Sequence, residues 1–232
     1  MNNHADSCVI LFVKYPVPGN VKTRLAKQVG ELYAVEIYKC FVADMFDKFR
    51  DLNLCIKVFF AGTDKKDDFE QWFGNDIFCN LQSGKELGAK MKNAFEVIFS
   101  DSFTKALIIG TDIPDLPEEY IELAFNTLKN NDTVLGPSSD GGYYLIGFTK
   151  KNFLPEAFDN ITWSSDKVLE QTISRLNKHD KMIYLLPQWH DVDTLDDLKS
   201  LVVRNKNTAF MNSHTISYLQ NNKIGSSGNG EL

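Results

Sequence analysis

Short apolar runs alternate along this chain with longer stretches of helical periodicity, and that alternation limits the fold more than any other feature. Cys8–Val13, Leu54–Ala61, Ile77–Gln82, Ala106–Gly110, Thr133–Gly136, Tyr143–Phe148 and Met182–Leu186 read as strands. Residues 30–49 place Leu32, Val35, Tyr38, Val42, Met45 and Phe49 three or four apart, which is helical spacing. Asp67–Phe73, Leu87–Phe99, Ser164–Leu176 and Leu195–Val203 also read as helices, and Pro117-Glu118-Glu119 as a helix start with proline at the first helical position. The pattern predicts an α/β protein: a three-layer α/β/α domain over residues 1–205 with a mixed, mainly parallel sheet. Residues 206–232 are expected to form a C-terminal helix and a flexible tail. Asp140-Gly141-Gly142, between two strands, predicts a hairpin and hence an antiparallel strand.

Composition excludes several function classes. With 25 Lys+Arg against 31 Asp+Glu the formal charge is −6, against the basic face that nonspecific nucleic-acid binding needs. No apolar run approaches the ~20 residues of a membrane helix, and the six residues of Cys8–Val13 are too few for a signal-peptide core. Cys8, Cys40, Cys55 and Cys79 have no CxxC spacing and read as buried thiols of a cytoplasmic protein.

In open α/β sheets ligands bind beyond the carboxyl ends of the strands. After the first strand comes a basic loop, Lys14 to Leu25. After Ala106–Gly110 comes Thr111-Asp112-Ile113-Pro114-Asp115, and after Met182–Leu186 comes His190-Asp191-Val192-Asp193-Thr194. Lys22, Thr23 and Arg24, behind a Gly/Pro turn, form either a phosphate cradle or a solvated turn. The loop is not a P-loop, since Val21 precedes the lysine, and no GxGxxG or GxSxG occurs. Asp112 is placed either to hold Mg²⁺ or Mn²⁺ or to bond its own backbone before Pro114. Asp115 precedes a helix, and Thr194 with Asp197 resembles a capping box. Trp163-Ser164-Ser165 reads as a serine N-cap over a packed aromatic. The histidines (His4, His179, His190 and His214) have no metal spacing. Two carboxylate loops facing a basic loop are the set a divalent ion bridging carboxylates and a polyphosphate requires.

At these residues the chain resembles a known family. Pro16-Val17-Pro18-Gly19-Asn20-Val21-Lys22-Thr23-Arg24-Leu25 is similar to the PxPGxxKTRL opening of bacterial radical-SAM/selenodomain-associated glycosyltransferases. These are members of the nucleotide-diphospho-sugar transferase superfamily, with a glycosyltransferase-A type fold, related to phospholactate guanylyltransferases and molybdenum-cofactor nucleotidyltransferases. Gly110 to Leu116, Gly136 to Gly147, Trp163-Ser164 and Asp191 to Thr194 match further blocks in order, so the resemblance spans about residues 8–200. It implies a Mg²⁺- or Mn²⁺-dependent transferase of a nucleotide-sugar, or alternatively a nucleotidyltransferase releasing pyrophosphate from a nucleoside triphosphate. Either would use an unnamed small-molecule acceptor.

Carried onto this chain, the resemblance implies Pro18, Gly19, Lys22, Thr23, Arg24 and Lys90 on the nucleotide phosphates. It implies Asp112 and Asp193 on the metal, and Asp115, Gly141, Gly142 and Trp163 on the substrate side. Asp140 is a candidate base only. Lys90 stands where the family usually has arginine and cannot supply a bidentate fork. Thr111-Asp112-Ile113 is not a DxD; Asp191-Val192-Asp193 is. A non-catalytic nucleotide-binding scaffold is the reading from a different class, and the oligomeric state is left open.

Overall fold

The computed structural model describes residues 5–62, 66–74 and 77–222. Seven strands form one sheet: β1 (Ser7–Lys14), β2 (Cys55–Ala61), β3 (Phe78–Leu81), β4 (Lys105–Ile109), β5 (Thr133–Pro137), β6 (Tyr143–Thr149) and β7 (Ile183–Leu185). Their spatial order is β3-β2-β1-β4-β6-β5-β7. Every pairing is parallel except those of β6, which runs against both β4 and β5. The mixed, mainly parallel three-layer architecture expected from the alternation is the one observed.

The helices are α1 (Thr23–Val29), α2 (Glu31–Asp51), α3 (Lys66–Phe73), α4 (Leu87–Ser100), α5 (Glu118–Thr127), α6 (Val168–Asn177), α7 (Leu195–Asn205) and α8 (His214–Asn221). Strand alternation decides the two cores. Val9, Leu11 and Val13 of β1 pack with α2, α3 and α5 on one face, while Cys8 and Ile10 pack with Met91, Phe95 and Ile98 of α4 on the other. A third cluster joins Leu25 of α1, Phe41 of α2, Val192, Leu198 of α7 and Ile216 of α8. Helix α8 thus packs onto α2, and the expected tail, Gly225–Leu232, lies, like His4, outside the described residues. No described helix is long and apolar enough to cross a membrane.

Two local expectations are corrected. Helix α6 begins at Val168 instead of Ser164, and its N-cap position, Lys167, has no side-chain cap. Ser164 is left-handed at φ 64°, and the Ser165 hydroxyl donates to the Thr162 carbonyl at 2.6 Å, so these residues form a turn ahead of the helix. Pro117 sits one position before the first residue of α5, as its N-cap. The expected capping box is present: the Asp197 amide donates to the Thr194 hydroxyl, and the Thr194 amide to the Asp197 carboxylate.

The strand order reverses between β1 and β4. The chain steps from β1 outward to β2 and β3, then returns across β1 to β4, and such a switch point opens a crevice at the carboxyl edge. The basic loop leaves β1 on one side of that crevice, and Asp112 follows β4 on the other.

Candidate active site

The basic loop is built as a tight turn followed by a buried lysine. The Asn20 amide donates to the Val17 carbonyl at 3.0 Å, with Pro18 and Gly19 between them. Gly19 has φ 81°, a conformation that favours glycine. Pro18, Gly19, Thr23 and Arg24 are exposed, whereas Val21 and Lys22 are buried. Lys22 caps α1 in the left-handed region, φ 47° and ψ 44°, a conformation costing on the order of 1–2 kcal/mol for a residue with a Cβ.

That backbone conformation accompanies an inward ammonium. Lys22 Nζ lies 2.5 Å from Asp112 Oδ1 and 3.2 Å from Asp193 Oδ1, and donates to the Val192 carbonyl at 2.7 Å. The Phe41 ring lies 5.4 Å from the same nitrogen. The Lys22 side chain is 2% exposed, while those of Asp112 and Asp193 are 48% and 40% exposed. One buried cation therefore faces two carboxylates that remain open to solvent. Arg24 Nη1 approaches Asp193 at 3.6 Å from a largely exposed position.

Several further contacts fix the two acidic loops. The Val192 amide donates to the Asp112 carbonyl at 2.8 Å, and the Trp189 amide to the Pro137 carbonyl at 3.0 Å. Together they draw the segment after β7 across the ends of β5 and β4. The Tyr38 hydroxyl, buried under the crevice, accepts the Lys14 amide at 2.9 Å and the Thr111 hydroxyl at 3.3 Å, tying the ends of β1 and β4 together. Lys48 donates to the carbonyls of Pro114, at 3.1 Å, and Leu116, and burial pulls its ammonium down to about 8.

Asp191 is the functional candidate that motif reading passed over. It is half-buried, and burial raises its carboxyl to about 7. The charges of Asp112, Asp140 and Asp193 push the same way, against Lys22. Its signal is the Asp191-Val192-Asp193 pattern, in which the resemblance implies a role only for Asp193. Tyr38 and Lys48 sit inside the apolar periodicity of α2 and carry no such signal.

The other expected site residues are placed differently. Asp140 is exposed at the hairpin, where Oδ1 accepts the Gly142 amide at 2.9 Å and the Ser138 hydroxyl, and its charge reaches Asp191. Gly141, φ 88°, lies against the Asp166 carbonyl so closely that a Cβ would stand 2.2 Å from it. Trp163 is packed on the first turn of α4: a Cβ at Gly88 would lie 2.5 Å from its ring. Lys90, in that same first turn, makes no ion pair with the acidic cluster. The Asp115 side chain is fully buried and committed within the protein, accepting from Arg204, Asn205 and Trp189. That leaves it no exposed oxygen for a ligand, so the expected substrate contact at Asp115 gives way to an anchoring role.

The donor set is one of hard oxygens. Asp112 and Asp193 are half-exposed carboxylates, the kind of donor from which one or two could hold a Mg²⁺ or Mn²⁺ ion that completes its shell with water and phosphate, and Lys22 bridges them. Among the described residues no three acidic, histidine or cysteine side chains are grouped to cage a metal by themselves.

Residues 47–165 match the model of a family described as an uncharacterized protein conserved in bacteria, DUF2064. The chain belongs to this family. This DUF2064 member is 39% identical to a protein from Desulfovibrio desulfuricans G20 whose crystal structure is described as that of a candidate nucleotide-diphospho-sugar transferase. That likeness covers 94% of this chain and 95% of the other, with a TM-score of 0.90. It is 24% identical over 202 residues, 84% of each chain, to 2-phospho-L-lactate guanylyltransferase of Methanocaldococcus sp. (strain FS406-22). At 9% identity, 4-diphosphocytidyl-2C-methyl-D-erythritol synthase from Anaerococcus prevotii DSM 20548 shares the fold, with a TM-score of 0.55 over 87% of this chain and 100% of the other.

Proposed function

We propose that this DUF2064 member is a nucleotidyltransferase, moving a nucleotidyl group from a nucleoside triphosphate to a small acceptor with release of pyrophosphate. The observation that carries the reading is the meeting of Lys22 with Asp112 and Asp193 at the switch point, with Arg24 beside them. Support for nucleotidyl over glycosyl transfer comes from the guanylyltransferase relative, which aligns with most of this chain.

In this reading Arg24, exposed and forked, binds phosphate oxygens, and the Pro18–Gly19 turn holds the loop that presents it. Lys22 supplies fixed positive charge where the leaving pyrophosphate gathers negative charge. Asp112 and Asp193 hold the divalent ion, which when bound neutralises the polyphosphate and screens it from the acidic cluster. The hairpin at Asp140–Gly142 borders the acceptor side. The four cysteines, none in a CxxC spacing, fit a reducing, cytoplasmic setting.

Glycosyl transfer is the second reading, kept by the resemblance to radical-SAM/selenodomain-associated glycosyltransferases and by the name of the Desulfovibrio neighbour. The test is a panel of nucleoside triphosphates and nucleotide-sugars with phosphorylated hydroxy-acid and sugar acceptors, with and without Mg²⁺ or Mn²⁺. Metal-dependent pyrophosphate release supports nucleotidyl transfer; nucleoside diphosphate release from a nucleotide-sugar supports glycosyl transfer instead. Melting shifts worth about 2.7 kcal/mol at 100 times Kd, without turnover, would replace both with a nucleotide-binding scaffold.

A further inference from the structure

A pair of cysteines lies at the start of β1 and β2, at the amino edge of the sheet and away from the acidic cluster. Cys8 and Cys55 are directly paired in the parallel register. Paired residues project to one face, and neighbouring strands lie about 4.8 Å apart, inside the roughly 4.4–6.8 Å Cα separation that a disulfide spans. The single Cys8 S–H donates to the Val9 carbonyl at 3.5 Å, with the neighbouring Cys55 sulfur as its alternative acceptor. Cys8 is buried and Cys55 half-buried, so Cys55 is the more outward residue of the pair.

The other two cysteines are elsewhere. Cys79 pairs with Val58 and packs in the layer on the other side of the sheet, and Cys40 lies on α2 in that same layer. The surroundings also separate the partners chemically. Donation from Cys8 to a Cys55 thiolate, helped by the ammonium of Lys57, holds the Cys55 thiol down to about 6, while that same donation and then burial push Cys8 up. Lys57 is held in place over the rings of Phe78 and Phe103, at 4.4 and 5.5 Å.

We propose that Cys8 and Cys55 form a redox-active dithiol that a hydroperoxide converts to a cross-strand disulfide joining β1 to β2. The Cys55 thiolate attacks the distal peroxide oxygen and the O–O bond breaks. Cys55 becomes a sulfenic acid, and the departing alkoxide or hydroxide takes a proton from solvent. The Cys8 sulfur then attacks the Cys55 sulfur, the S–O bond breaks, and hydroxide leaves with the Cys8 proton as water. Two thiols lose two electrons and two protons, and the peroxide is reduced to water and an alcohol, or to two waters.

The experiment treats the reduced full-length protein with one equivalent of hydrogen peroxide. The expected result is an intact mass lower by two hydrogens, a Cys8–Cys55 linked peptide in a non-reducing digest, and reversal by dithiothreitol. In C8A and C8S, Cys55 should stop at a sulfenic acid that dimedone captures, and in C55S no link should form. Iodoacetamide labelling of Cys55 at pH 7 should fall roughly tenfold or more in C8A as its thiol returns toward about 8.5. The wild-type digest stands by itself if a variant fails to fold. Oxidation without a link, a link through Cys40 or Cys79, or labelling unchanged in a folded C8A would overturn the proposal.

Discussion

Arg204 holds Asp115 with a two-point grip: Nε donates to Oδ2 at 2.6 Å and Nη2 to Oδ1 at 2.8 Å. The guanidinium also lies 5.9 Å from the Trp189 ring, whose Nε1 donates to Asp115 at 3.2 Å. The pair therefore clamps the loop after β4 to α7, and the segment after β7 is caught between them.

Replacing Arg204 with methionine keeps the apolar stem and strands a buried carboxylate. Loss of one partner of a buried pair costs about 3–5 kcal/mol, and the lower end is expected because Arg204 is 22% exposed. Urea unfolding followed by circular dichroism measures it. A loss below 1 kcal/mol would show that Asn205 and Trp189 suffice.

Asp112→Asn removes a charge without removing volume, and Lys22 keeps Asp193 and the Val192 carbonyl as partners. Metal-dependent turnover should drop on the order of 10²–10³-fold, with a melting temperature close to that of the wild type. Near-normal turnover would discard the metal assignment.

The left-handed Lys22 separates backbone strain from charge. Lys22→Ala loses the ammonium and retains the strain, whereas Lys22→Gly loses both. The glycine variant should be more stable than the alanine one by about 1 kcal/mol, while both lose nucleotide-induced stabilisation. Equal stabilities would mean the conformation carries no strain.

Lys48 gives a pH signature of defined sign. Its folded value, about 8, lies below the ordinary 10.5, so between these limits the unfolded chain binds the extra proton. Stability contributed by this residue should therefore rise with pH from about 8 to 10.5, by at most about 1.4 kcal/mol per pH unit. The difference between the wild type and Lys48→Met across that range isolates the effect; a flat difference would contradict the shift.

The architecture was legible because strand and helix periods are local. β1, β4 and α2 follow directly from apolar spacing, and the loops at their ends from the rule for open sheets. That rule brings the basic loop and the two acidic loops to one edge, and the resemblance singles out Asp112 and Asp193 within them; the two carboxylates meet at Lys22. Partner choice was less legible. Asp115 and Asp112 share one short loop, yet one is buried against Arg204 and the other half-exposed, and that difference comes from α7, far along the chain. Trp163 packs as an aromatic ahead of α6 was expected to, but its partner, Gly88 on α4, is set by a close approach between distant segments. Ser164 and Ser165 misled because a turn and an N-cap use the same side chains.

The reversal of β6 has a consequence for how this protein can diversify. A parallel strand there would need a long crossover, but the antiparallel one is reached by a short bend at the rim, next to both acidic loops. A change of length at the exposed Asp140 tip need not disturb the register of the seven strands, whereas Gly141, pressed against the Asp166 carbonyl, and Ser138, bridged to Trp189, tie the ends of that bend to the rest of the molecule.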